Sequence, residues 1–136
     1  MIQLTPQNIF LLTLLLISSY TDIKYMKIYN RVIFLFFFLG ITASLATFSY
    51  LSLALSIIIF TSGIFLQTEN INGLNAGDVK LISVSILFFL KHYALTFLFV
   101  LSLVYVLVFE IQKIRKIKKL PFAPFILLSA VITIMR

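Results

Sequence analysis

The chain has 136 residues, of which 62% are hydrophobic and 11% charged, with a mean hydropathy of +1.15. A soluble domain is about half apolar and about a quarter charged, so an aqueous fold cannot hide this much hydrocarbon, and the composition points to a bilayer-embedded protein. The formal charge of +7 does not argue for nucleic acid, because cytoplasmic lysines facing anionic lipid produce the same excess in a membrane protein.

The residues before Thr21 carry no charged side chain, and Lys24, Lys27 and Arg31 follow. A secretory signal has its basic residues first and a small-residue cleavage site. The reversed charge order predicts an uncleaved first helix with its N-terminus outside. Residues Val32 to Gln67 have no charge. As one helix they would run roughly 54 Å against a hydrocarbon core of roughly 30 Å, so the segment must fold back. The turn is expected among Thr42, Ser44, Thr47 and Ser49. From Gln67 to Gly77 the residues Glu69, Asn70, Asn72, Gly73 and Asn75 predict a loop. Residues Leu81 to Phe109 are again too long for one span, at roughly 44 Å, and Lys91-His92 marks the expected break. Lys113, Arg115, Lys116, Lys118 and Lys119 form a further polar loop. A short last span, Leu120 to Met135, is opened by Pro121 and Pro124, which a helix tolerates in its first turn.

The fold class is therefore all-α: a polytopic integral membrane protein of six transmembrane helices with the N-terminus outside. It forms one membrane-embedded domain over residues 1–136, since no linker, repeat or low-complexity tract divides it. With both long segments folded back, the basic loops and Lys80 fall on the cytoplasmic side, leaving Lys91 and Arg136 outside. That topology also puts Asp22 and Asp78 on the same, cytoplasmic side. The chain has no Cys, hence no disulfide or thiol nucleophile, and with one His and four acids neither a metal site nor a cofactor is expected.

Asp22 and Asp78 sit at apolar-to-polar junctions, and the residues alone leave two readings. In the first, each is an interfacial anchor: Asp78 caps the fourth helix, and Asp22 pairs with Lys24 or Lys27. In the second, the two form a dyad that shares one proton and activates a water. Gly77, lacking a Cβ, would let a substrate backbone approach. Lys80, two residues past Asp78, would face elsewhere and extend to lipid headgroups. Asn30 is expected to cap the second helix, with substrate positioning as a secondary role. His92, in the expected outer turn, reads as a polar loop residue.

Three stretches carry a resemblance. Gly77-Asp78-Val79-Lys80-Leu81 resembles the GxGD signature of prepilin peptidases, the type IV leader peptidases, which are membrane aspartyl proteases. The run Asp22-Ile23-Lys24-Tyr25-Met26-Lys27-Ile28-Tyr29-Asn30 resembles their first motif, an Asp and a short basic stretch before Ile-Pro-Asn. Leu120-Pro121-Phe122-Ala123-Pro124-Phe125 is similar to their late Pro-Phe-Gly-Pro-Phe segment. The resemblance implies that Asp22 and Asp78 are the catalytic pair, with Gly77, Asn75, Lys80 and Asn30 around the substrate. It implies a hydrolase of the bacterial inner membrane that removes a basic leader from prepilin or pseudopilin substrates at the cytoplasmic face. Asn75 stands in place of the first Gly of GxGD, Tyr29 in place of Pro, and Ala123 in place of Gly. The larger bifunctional members carry a cysteine-bearing methyltransferase segment. Its absence here implies peptidase activity without N-methylation, and the small size resembles the peptidases of tight-adherence (Flp-type) pilus systems. Two rivals stand beside this reading: a non-catalytic pilus-assembly protein, and a small transporter component with a carboxylate relay.

Overall fold

The computed structural model describes residues 5–68, 76–89, 91–116 and 120–135, together with their side chains except those of 66–68, 91 and 92. Within these residues the chain forms six helices and no strand: α1 (Pro6–Tyr25), α2 (Asn30–Ala46), α3 (Tyr50–Thr68), α4 (Ala76–Leu87), α5 (Lys91–Arg115) and α6 (Ala123–Met135).

α1 starts where Pro6 follows Thr5, whose hydroxyl accepts the Asn8 N–H at 3.4 Å. It ends where Met26 turns left-handed, at φ 52°, and returns its N–H to the Asp22 carbonyl. Asp22 thus lies inside the last turn of α1 and not after the helix, as the apolar count implied. A lysine in that turn, Lys24, suits the negative end of the helix dipole.

Asn30 does not cap α2. The cap position is Tyr29, in extended backbone and with no side-chain hydrogen bond, and Asn30 is already helical. From a helical position its amide cannot reach the first-turn N–H groups that a cap serves. The α2–α3 turn falls at residues 47–49, inside the expected window.

α4 is the unusual element. Every residue from Asp78 to Phe89 is buried. Its 12 residues rise about 18 Å, well short of a hydrocarbon core of roughly 30 Å. The break before α5 comes at Phe88 and Phe89, earlier than expected, so Lys91 and His92 begin α5. Gly77 likewise falls in the first turn of α4 and not in a loop. Lys113 and Arg115 belong to the last turn of α5 and not to a polar loop, again at the cation-favouring end of a helix. Asn75 and residues 117–119 lie outside the described residues. Pro121 precedes α6, and Pro124 sits in its first turn.

α4 packs chiefly against α3 and α2, while α6 packs between α1 and α5. Because α4 stops inside the bundle, its last carbonyls need donors that lipid cannot supply. Serines provide them. Ser44 of α2 donates to the Leu87 carbonyl at 2.7 Å, and Ser52 of α3 donates to that of Phe89 at 2.9 Å. One turn earlier, Ser56 donates to the Ser83 carbonyl at 2.8 Å. Gly40 lets α2 approach closely: a Cβ there would stand 2.7 Å from the Leu87 Cβ. Of the described helices, α5 alone has a stretch long and apolar enough to cross a membrane unaided, Tyr93–Arg115, while α2, α6 and much of α3 are shorter apolar helices.

Gly40→Ala should cost about 1–3 kcal/mol of stability, as overpacking does in tightly filled cores. Thermal unfolding of the purified protein in detergent checks this, with Ala46→Gly at the exposed end of α2 as a control for backbone effects.

Candidate active site

One end of the bundle collects residues far apart in the chain. The last turn of α1 brings Asp22, the α1–α2 connection brings Lys27 and Tyr29, the start of α2 brings Asn30, and the first turn of α4 brings Gly77, Asp78 and Lys80. These residues line a single open pocket of about 420 Å³. The opposite end holds the serine contacts to the last turn of α4.

Asp22 is 5% exposed and Asp78 4%. Burial of this degree is unusual for carboxylates and demands partners. For Asp22 the partner comes from α6: the Ala123 N–H donates to Asp22 Oδ2 at 3.0 Å, across 101 positions of sequence. Ala123 is the first residue of α6, so its N–H has no acceptor within its own helix. The carboxylate therefore meets the positive end of a helix dipole and satisfies one of its orphan donors. The pairing of Asp22 with Lys24 is not seen. Lys24 instead donates to the Tyr20 hydroxyl at 3.4 Å and lies over the Tyr20 and Tyr25 rings.

Asp78 is the third residue of α4, within the first turn and not at the cap. A carboxylate there is favoured by the same dipole effect. Gly77 beside it packs at ordinary distance on Ile28, where a Cβ would sit 3.5 Å from the Ile28 Cβ. Its neighbours would thus tolerate a methyl group.

Lys80 corrects a second expectation. It does not extend to lipid headgroups. It is 6% exposed, its stem lies along Gly63 of α3, and it shares the pocket with both aspartates. The physical reason is the enclosure of α4: with no lipid-facing side, every direction from this helix meets protein. Asp78 and Lys80 both hold partners within the fold.

Sequence reasoning missed the Ala123 N–H as a site group. A signal for it was present, since Pro121 and Pro124 bracket the start of a helix, and such a start exposes unpaired N–H donors. It placed Lys80 around the substrate only through the motif, while helix spacing pointed to lipid headgroups; two-residue spacing separates faces yet does not say that both faces open onto one cavity. Among the described residues no cluster of three or more His, Cys, Asp or Glu gathers as metal ligands would.

The family model for the type IV leader peptidase family matches residues 9–111. The matched stretch contains Asp22 and Asp78 and stops before the segment that supplies Ala123. Comparison with curated proteins and with solved structures finds no match. Because the match spans most of the 136 residues, the chain belongs to the type IV leader peptidase family, membrane-associated peptide hydrolases with prepilin-type substrates.

Proposed function

We propose that the protein is an aspartyl endopeptidase in which Asp22 and Asp78 act together on the leader of a prepilin-like substrate. The observation that carries this reading is the convergence of two buried carboxylates, distant in sequence, on one open pocket. A pair of carboxyl groups in reach of one another holds a single proton more readily than none. The ionised member takes a proton from a water as the water oxygen bonds to the scissile carbonyl carbon. The protonated member gives its proton to the carbonyl oxygen. As the tetrahedral species collapses, the C–N bond breaks, the nitrogen leaves with a proton from one carboxyl group, and a hydroxyl proton of the intermediate returns to the other. Asn30, Gly77 and Lys80 line the same pocket and are assigned to substrate positioning. Asn75, assigned the same role from the motif, lies outside the described residues.

On this reading the six helices make one membrane-embedded peptidase unit of the bacterial inner membrane, with the N-terminus outside. The pocket opens at the cytoplasmic face, among anionic headgroups. Three features support it: the basic residues flanking that end, the exposed apolar side chains of α5 such as Phe99, Leu103 and Leu107, and the gathering of Asp22, Asn30, Asp78 and Ala123 at one end of the bundle. Peptidase activity without N-methylation, in a Flp-type pilus system, remains part of the proposal and rests on the motif resemblance alone. One observation favours a second reading. The Asp22–Ala123 bond is also what a non-catalytic, pilin-binding assembly protein would use to hold α6; such a protein would bind a prepilin and release no processed product.

Asp22→Asn and Asp78→Asn should each lower cleavage of a co-expressed prepilin by at least about 10²–10⁴-fold, read as the mass of the substrate, with membrane levels unchanged. The amide oxygen of Asn can still accept the Ala123 N–H, whereas Asp22→Ala leaves that donor unmet and should lose a further ~1–3 kcal/mol of stability. Retained cleavage by either Asn variant contradicts the dyad. Adding EDTA should leave the rate unchanged; inhibition that added metal reverses would contradict a purely carboxylate mechanism.

A further inference from the structure

Ser18 and Ser19 are only 2% and 6% exposed, yet neither hydroxyl has a hydrogen-bond partner. The other buried hydroxyls among the described residues are all bonded. Ser44, Ser52 and Ser56 donate to carbonyls on the neighbouring element, and Ser49 bonds to Ser52. Ser83, Ser85, Ser129 and Thr133 donate to carbonyls three or four residues back in their own helices. Ser18 and Ser19 lack even this common outlet, so their hydroxyls are turned away from the α1 backbone. Two adjacent exceptions on one helix point to something that the pair receives.

Their position says what it is. Ser18 and Ser19 precede Asp22 by four and three residues, the spacings that share a helix face. Side chains in a helix lean toward its N-terminus, so the Asp22 carboxylate overhangs the turn that carries the two serines. Neither hydroxyl bonds Asp22 directly, and one water, with a hydrogen bond of about 2.8 Å on each side, can join neighbouring groups on this face. Asp22 Oδ2 is already held from the side by Ala123.

We infer that Ser18 and Ser19 form a binding site for one ordered water that bridges their hydroxyls to the Asp22 carboxylate. The water accepts from both serines and donates to Asp22, giving it the roughly three bonds typical of buried water. Ser18 and Ser19 are thereby positioning residues. With Ala123 on one side and the water beneath, Asp22 is fixed from two directions and presents its carboxylate to the pocket in one orientation. The consequence for catalysis rests on the dyad reading above; the water site itself does not.

The test uses the full chain in detergent or lipid nanodiscs, with the double variant Ser18→Ala/Ser19→Ala. Its melting temperature is measured, together with kcat and KM on a peptide carrying a basic leader and the start of an apolar helix. The inference predicts kcat lowered by about tenfold or more, as small misplacement of a reacting group produces. KM should be unchanged and the melting temperature equal to or below that of the wild type. Were the hydroxyls simply unmet, alanine would relieve them, so a raised melting temperature overturns the inference, and so does an unchanged kcat. Asp22→Asn is run alongside. If it cleaves at the wild-type rate the dyad reading fails on its own, and the melting temperature alone then decides on the water.

Discussion

A helix with no side open to solvent or lipid has to satisfy its ends and its charges entirely from its neighbours, and α4 is such a helix. From Asp78 to Phe89 nothing is exposed, and the element is too short to reach across a bilayer. Its two ends are treated differently. The C-terminal carbonyls are closed by hydroxyls from α2 and α3, and Gly40 removes the side chain that would hold α2 away. The N-terminal turn carries Asp78 and Lys80 and is left facing a pocket. The closed end anchors the helix, and the open end offers chemistry.

The second acid is secured by a separate device. Asp22 belongs to α1, which packs against α6, and its carboxylate takes the first N–H of that helix. An anion at a helix N-terminus is stabilised by the unpaired donors and the dipole together. The charge is thus tolerated under burial without a direct neutralising lysine from its own helix. The same bond ties the late Pro-Phe segment to the first Asp motif, giving these two stretches a physical link that neither shows alone. Because the chemistry proposed for the pair needs both carboxylates in fixed relation, α6 contributes to the site through its backbone.

Much of this arrangement was legible in the sequence. The two long apolar runs exceeded the length of single spans, and the turn at residues 47–49 and the break at Phe88 and Phe89 follow from that length argument. The positive-inside bias put both acids at one end, and they line one pocket there. What the sequence hid depends on packing. Asp22 looked like the residue after a helix, because the uncharged stretch ends at Thr21, but backbone hydrogen bonding continues to Met26. Lys80 looked like a lipid-facing anchor, because hydropathy gives no sign that α4 would be surrounded. Asn30 looked like a cap, because its type suits one, while the backbone turns helical one residue too early for that role. The partner of Asp22 is a main-chain group, which no side-chain pattern announces.

The account stands on the nearness of Asp22 and Asp78, and the chain offers a clean way to measure it, since it contains no cysteine. A double variant, Asp22→Cys/Asp78→Cys, treated in membranes with a short bifunctional thiol reagent, reports that nearness directly. The pair should join within one chain, seen as an intact mass gaining one bridging reagent, while Asp22→Cys/Ala46→Cys, with Ala46 at the far end of α2, should not. Two independently capped thiols in the first variant, or equal bridging in both, would show that the acids do not share a pocket and would contradict the account.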